Sequence, residues 1–267
     1  MEVQWTLLIF TLLTGGAGWL FACVCADEFL QRASKAALPA TVTALVVAIV
    51  GGIASVFHLS HADRMLAALN HPTSGIFIEA VLVGLFCLFA IIYLVLLVRG
   101  IGGGARKAMA IIAAIAGVVL SFAAGASYMM EAQYTWDTPL LPLAYCGTAV
   151  PLGIAAYLTV AEAVKALEEP APYDKALLVG GVIGLVTVAA YVLVAGVAGE
   201  EPVLFLVALV GSGVVPIVAG VLMAKQPSSA LTWSAVALVC ACVGAACLRA
   251  LMWLVSSVPA NFFSNLF

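Results

Sequence analysis

Long apolar runs broken by short polar connections dominate the chain. Eight runs carry few or no charges over roughly 20 residues, the length a helix needs to cross about 30 Å of hydrocarbon. They lie at about 3–25, 37–58, 75–98, 108–130, 138–162, 176–198, 202–224 and 229–257. The connections are short: 27–35, 99–107 with its Ile-Gly-Gly-Gly turn, 165–175 with two prolines, and the Gly-Glu-Glu-Pro of 199–202. None could hold a separate domain. The pattern therefore predicts an all-α, single polytopic membrane domain over 1–267, a bundle of eight transmembrane helices. Met1 and Glu2 precede the first run with no basic region and no small-residue cleavage site, so that run is expected to be a retained span rather than a removable leader. Gly15, Gly16, Gly18, Gly51, Gly52, Gly181 and Gly184 mark faces where helices can approach closely. No convincing repeat relates the first four runs to the last four.

Basic loops are retained on the cytoplasmic side, so the placement of Lys and Arg sets an orientation. Of the ten basic residues, eight (Arg32, Lys35, Arg99, Arg106, Lys107, Lys165, Lys175 and Lys225) fall in the odd connections. The even connections and both tails carry only Arg64, and Arg249 lies inside the last run. Both termini are thus expected outside, with the 2–3, 4–5 and 6–7 connections on the same external face. Those connections are also acidic, with Glu131, Asp137, Glu200 and Glu201, and include the longest loop, about 60–74.

Composition agrees. The chain is 65% hydrophobic and 9% charged, against about half and about a quarter in soluble domains. Its net charge of −3 and the lack of any basic block exclude nucleic-acid partners. The seven cysteines all fall in apolar stretches and none forms a CxxC pair, which argues against a disulfide framework or an iron–sulfur site. They read as polarizable packing residues. The three histidines, His58, His61 and His71, are bunched in one connection, whereas a membrane haem b needs ligands facing each other across helices. Neither haem nor metal is expected in this chain.

An ionisable group inside a span costs on the order of 2.5–3.5 kcal/mol by insertion scales, so each is a functional candidate. Glu79 lies about one turn into the third run and Arg249 inside the eighth. His58 closes the second run, and Arg64 follows in a segment, 64–70, that reads as a short interfacial helix. These four cluster toward the external face, while the opposite half of the spans has nearly none. Each has a bland alternative. Arg64 fits a snorkelling side chain as well as a ligand contact, and His58 fits an interfacial residue bonding the loop. Arg249 fits a counter-ion for Glu79 as well as a binding residue. Glu79 is hardest to explain away, because its carboxyl group lies past the interface and needs a partner or a proton. Tyr128, Tyr134 and Trp136 read as membrane-belt anchors, or as walls of an apolar ligand site. A histidine and a carboxylate at this level suit quinol oxidation, which needs polar groups to hold the ring oxygens and a base to take protons.

Residues 52–70, Gly-Ile-Ala-Ser-Val-Phe-His-Leu-Ser-His-Ala-Asp-Arg-Met-Leu-Ala-Ala-Leu-Asn, followed by the Thr-Ser-Gly-Ile-Phe-Ile-Glu of 73–79, resemble the DmsC-type membrane anchor of dimethyl sulfoxide reductases. Shorter matches lie at 5–11, at Tyr128 and 134–139, and at 248–253. The resemblance implies an inner (cytoplasmic) membrane subunit that anchors two external partners. These are a four-cluster iron–sulfur electron-transfer subunit and a molybdopterin catalytic subunit. It also implies menaquinol as the bound substrate, oxidised at His58 and Glu79, with Arg64, Tyr128 and Arg249 in the quinol-binding set. Relatives of this type carry an acid four positions before the last-helix arginine, where this chain has Ala245.

Two other classes compete with a quinol-oxidising anchor. A secondary transporter would show broken helices and polar groups near the midplane. A purely structural tether would use its polar groups for docking alone.

Overall fold

The computed structural model describes residues 2–57, 70–167, 173–197 and 199–255. Eight helices are long and apolar enough to cross a membrane: α1 (Trp5–Leu30), α2 (Ala37–Val56), α3 (Gly75–Val98), α4 (Gly104–Ala126), α5 (Leu140–Ala163), α6 (Tyr173–Val194), α7 (Pro202–Lys225) and α8 (Ala230–Leu254). They alternate in direction, so the bundle has a terminus-bearing end and a basic end.

Local chemistry sets the helix ends. Ser74 caps α3, its hydroxyl accepting from the Phe77 N–H at 3.2 Å. Pro202 opens α7 at a position whose N–H would have no helical partner. Two glycines with positive φ, Gly100 and Gly103, turn the chain from α3 into α4.

Packing is uneven. α5 and α1 form the hub, with 72% and 67% of their most apolar windows buried, whereas α3 buries only 17%. α3 also has the highest mean hydropathy of the eight, 3.2, as a helix that offers most of its surface to lipid must. Glycine brings α4 against the hub helix α1. A Cβ on Gly18 would stand 2.3 Å from the Gly117 carbonyl oxygen, so α1 and α4 touch backbone to backbone.

One span leaves regular geometry. α7 widens into a π turn at Val210–Val214, directly before Pro216. In an α-helix the proline ring would collide with the Ser212 carbonyl, and the wider turn relieves that clash. Its two glycines lie close against the neighbouring helices. A Cβ on Gly211 would meet the Cys240 carbonyl oxygen at 2.4 Å, and one on Gly213 would meet Leu185 at 2.8 Å.

The ends differ from the sequence reading. α1 continues to Leu30, so Asp27 and Glu28 belong to the helix and are buried, not part of a polar connection. α4 begins and ends about four residues earlier than its apolar run, leaving Tyr128 beyond its last turn.

Candidate functional site at the terminus-bearing end

Arg249 lies on the buried stripe of α8 with Ala245, Leu248 and Met252, and only 1% of its surface is exposed. A guanidinium at that depth must find acceptors for its N–H groups. Its Nε donates to the Thr11 hydroxyl at 3.0 Å, and Nη2 donates to the Thr11 carbonyl at 3.3 Å. Nη1 donates to the Thr148 hydroxyl at 3.3 Å and to the Ala245 carbonyl at 2.9 Å. Both hydroxyls pass their own protons to carbonyls one turn back, Leu8 and Ala144, which leaves lone pairs free for the arginine. The Tyr145 ring stacks against the guanidinium, 4.5 Å from Cζ to the centroid. The cation is therefore solvated by neutral groups from α1, α5 and α8. No described carboxylate lies within ion-pair distance of it, so the counter-ion pairing with Glu79 is not formed.

Glu79 sits on the face of α3 turned toward α4, 9% exposed. Its Oε1 has no hydrogen-bond partner among the described residues, and the Ser127 hydroxyl faces the same carboxyl group. A second buried acceptor at this end, Gln133 Oε1, is likewise unpartnered.

Four aromatic rings fill the space between these groups. Tyr128 lies 5.8 Å from Tyr145, 6.2 Å from Trp136 and 5.6 Å from Trp253, centroid to centroid, and Trp136 stands edge-on to Trp253 at 5.1 Å. Burial pushes the Tyr128 phenol up, Tyr145 and Glu79 add to the shift and Arg249 opposes it, so Tyr128 feels both charged residues. The Tyr145 hydroxyl donates only to the Met252 thioether, at 3.2 Å, a weak acceptor. Trp136 is 2% exposed and its indole N–H donates to the Met252 carbonyl at 2.9 Å. It is not a belt anchor, because its polar tip is consumed inside the bundle. Tyr134 beside it is 69% exposed.

His58 and Arg64 lie outside the described residues, as does nearly all of the expected interfacial helix at 64–70. Of the sequence-derived set, the structure brings Glu79, Tyr128 and Arg249 to one end and adds Tyr145, Trp253, Thr11 and Thr148.

The expectation that the basic end has almost no buried charge is overturned. Glu28 accepts from Arg106 at 2.7 and 2.8 Å through Oε1, and from the Tyr93 hydroxyl at 3.0 Å through Oε2. Asp27 Oδ1 accepts from the backbone N–H groups of Arg32 and Ala33 and from the Tyr173 hydroxyl. Asp174 is buried nearby and accepts from the Lys175 N–H. Every acid here has donors, and the cluster ties α1 to α3, α4 and α6. Its signal was present in the sequence, since Leu20, Phe21, Val24, Asp27 and Glu28 continue one buried stripe at helical spacing.

Residues 1–260 match the family model described as DMSO reductase anchor subunit (DmsC). No curated protein matches the chain.

Proposed function

The chain belongs to the DmsC family of DMSO reductase anchor subunits, and on that premise we propose that it oxidises menaquinol at the terminus-bearing end and passes the electrons to an iron–sulfur partner. The observation that carries this reading is Glu79: a buried carboxyl group with an unpartnered oxygen, at the same end of the bundle as a partly exposed phenol, Tyr128, that feels both it and the buried cation. An aromatic diol supplies what such a site lacks, a hydroxyl donor and a ring that packs against tyrosine and tryptophan.

In the proposed reaction the quinol loses two O–H protons and two electrons. Glu79 accepts a proton from the ring hydroxyl and relays it outward, while His58 holds a ring oxygen. Arg64, Tyr128 and Arg249 complete the binding set. The electrons leave to a four-cluster iron–sulfur subunit, and from it to a molybdopterin catalytic subunit, both docked on the external face of the cytoplasmic membrane. Apart from that bound substrate, the chain carries no haem or metal in this scheme. The assembled complex is expected to reduce its terminal acceptor with a short-chain naphthoquinol as sole donor. A complex that accepts electrons from an artificial soluble donor but none from quinol would leave the chain a structural tether.

The orientation follows from the basic connections. Single cysteine reporters placed in the 2–3 connection are expected to react with an impermeant maleimide in sealed cells, and reporters beside Arg106 are not. The opposite labelling would put the site on the cytoplasmic face and remove outward proton release.

A further inference from the structure

We propose that Arg249 is a positioning residue: a fixed positive charge, with no carboxylate partner among the described residues, whose field reaches past the neighbouring rings of Tyr145 and Tyr128 to favour the deprotonated quinol. This rests on the quinol reading above.

Arg249 is an unusual ion. Burying a cation without a carboxylate is unfavourable, and α8 offers none in the adjacent turn, where Ala245 contributes only its carbonyl. Four hydrogen bonds donated to Thr11, Thr148 and Ala245 hold the guanidinium in place, and no described carboxylate neutralises its charge. Those bonds engage most of its N–H groups, so its influence on a ligand is electrostatic. From Cζ the path runs 4.5 Å to the Tyr145 ring and a further 5.8 Å to the Tyr128 ring. Tyr128 is the partly exposed member of this stack and Tyr145 the buried one.

The chemistry has a use for that charge. Before electrons leave, one hydroxyl proton passes from the quinol to the Glu79 carboxylate: the O–H bond breaks, the new O–H bond forms on Glu79, and the ring oxygen is left with the negative charge. The quinolate then gives two electrons to the iron–sulfur partner and its remaining hydroxyl proton to water at that face, leaving the quinone. For a quinol packed on Tyr128, a unit positive charge on the order of 10–15 Å from the ring oxygen, at an effective dielectric near 20, favours the anion by roughly tenfold.

The test uses the assembled complex with a short-chain naphthoquinol and follows turnover against pH. Among the described residues, the other titratable groups facing Arg249 and Tyr145 are Glu79 of α3, Tyr128 after α4, Tyr191 of α6 and Cys242 of α8, while α1 contributes the uncharged Thr11. Arg249→Gln is expected to lower turnover about tenfold at neutral pH and to move the half-maximal pH up by about one unit. Arg249→Lys, which keeps the charge, should leave that midpoint in place. Cys242→Asp sets a carboxylate within reach of the guanidinium at nearly unchanged volume, and should move the midpoint in the same direction as Arg249→Gln. It decides alone if Arg249→Gln does not assemble. An unmoved midpoint in either charge-cancelling variant, or an equal shift in Arg249→Lys, overturns the proposal. A wild-type complex with no quinol activity would instead overturn the function reading on which it rests.

Discussion

Glu79→Gln in the assembled complex is expected to lower quinol-driven turnover by at least about a hundredfold, the usual contribution of a general base, with reduction by a soluble artificial donor nearly unchanged. The substitution preserves shape and removes only the ability to take a proton. Glu79 Oε1 has no hydrogen-bond partner among the described residues, and the amide keeps a polar group able to meet the Ser127 hydroxyl. Assembly should therefore survive, and the loss should fall on the membrane-dependent half-reaction alone. His58→Ala is expected to behave the same way, through loss of a contact to the ring oxygen. Full quinol oxidation by either variant in an assembled complex would remove that residue from the mechanism.

Arg106→Ala should have the opposite profile. It strips Glu28 of its cationic partner and leaves a carboxylate, 5% exposed, with the Tyr93 hydroxyl as its remaining side-chain donor. Breaking a buried pair by removing one side costs about 3 kcal/mol or more. Thermal unfolding in detergent should show a clear loss of stability, while turnover per assembled complex stays near that of the wild type. Replacing both partners, Glu28→Gln with Arg106→Gln, should recover part of the loss, because no unpaired charge remains. A melting temperature unchanged in Arg106→Ala would mean that the pair contributes nothing to holding α1 against α4.

Uncharged length was enough to locate the eight spans, because crossing hydrocarbon demands it wherever it occurs. The same criterion placed the end of α1 too early. Asp27 and Glu28 look like the start of a loop when charge is counted by position, yet they occupy the inward face of the helix and find their donors on three other helices. Those donors, Tyr93, Arg106 and Tyr173, lie 65 to 146 residues away, and a single chain read in order does not show that they converge. Of the two readings of Trp136, belt anchor or wall of an apolar site, the sequence could not choose for a related reason. Its neighbours Tyr134 and Asp137 are polar, but its indole faces Met252, 116 residues further on. Glu79 and Arg249 were found because a charge in an apolar run stands out by itself. Tyr145, Thr11 and Thr148 were not, because hydroxyls are ordinary in membrane helices and gain meaning only from the guanidinium between them. The motif around His58 and Arg64 carried the family resemblance and lies outside the described residues.

The peripheral place of α3 changes what a kinetic constant for this protein would mean. Few of its residues are covered by the other helices, so on the proposed function a quinol that reaches Glu79 comes out of the bilayer and is never dissolved in water on the way. The concentration that drives binding is then the mole fraction of quinol in the membrane, set by partitioning. Adding more lipid to an assay at constant total quinol dilutes the substrate, and two preparations that differ only in their lipid or detergent content would report different apparent Michaelis constants for one unchanged site.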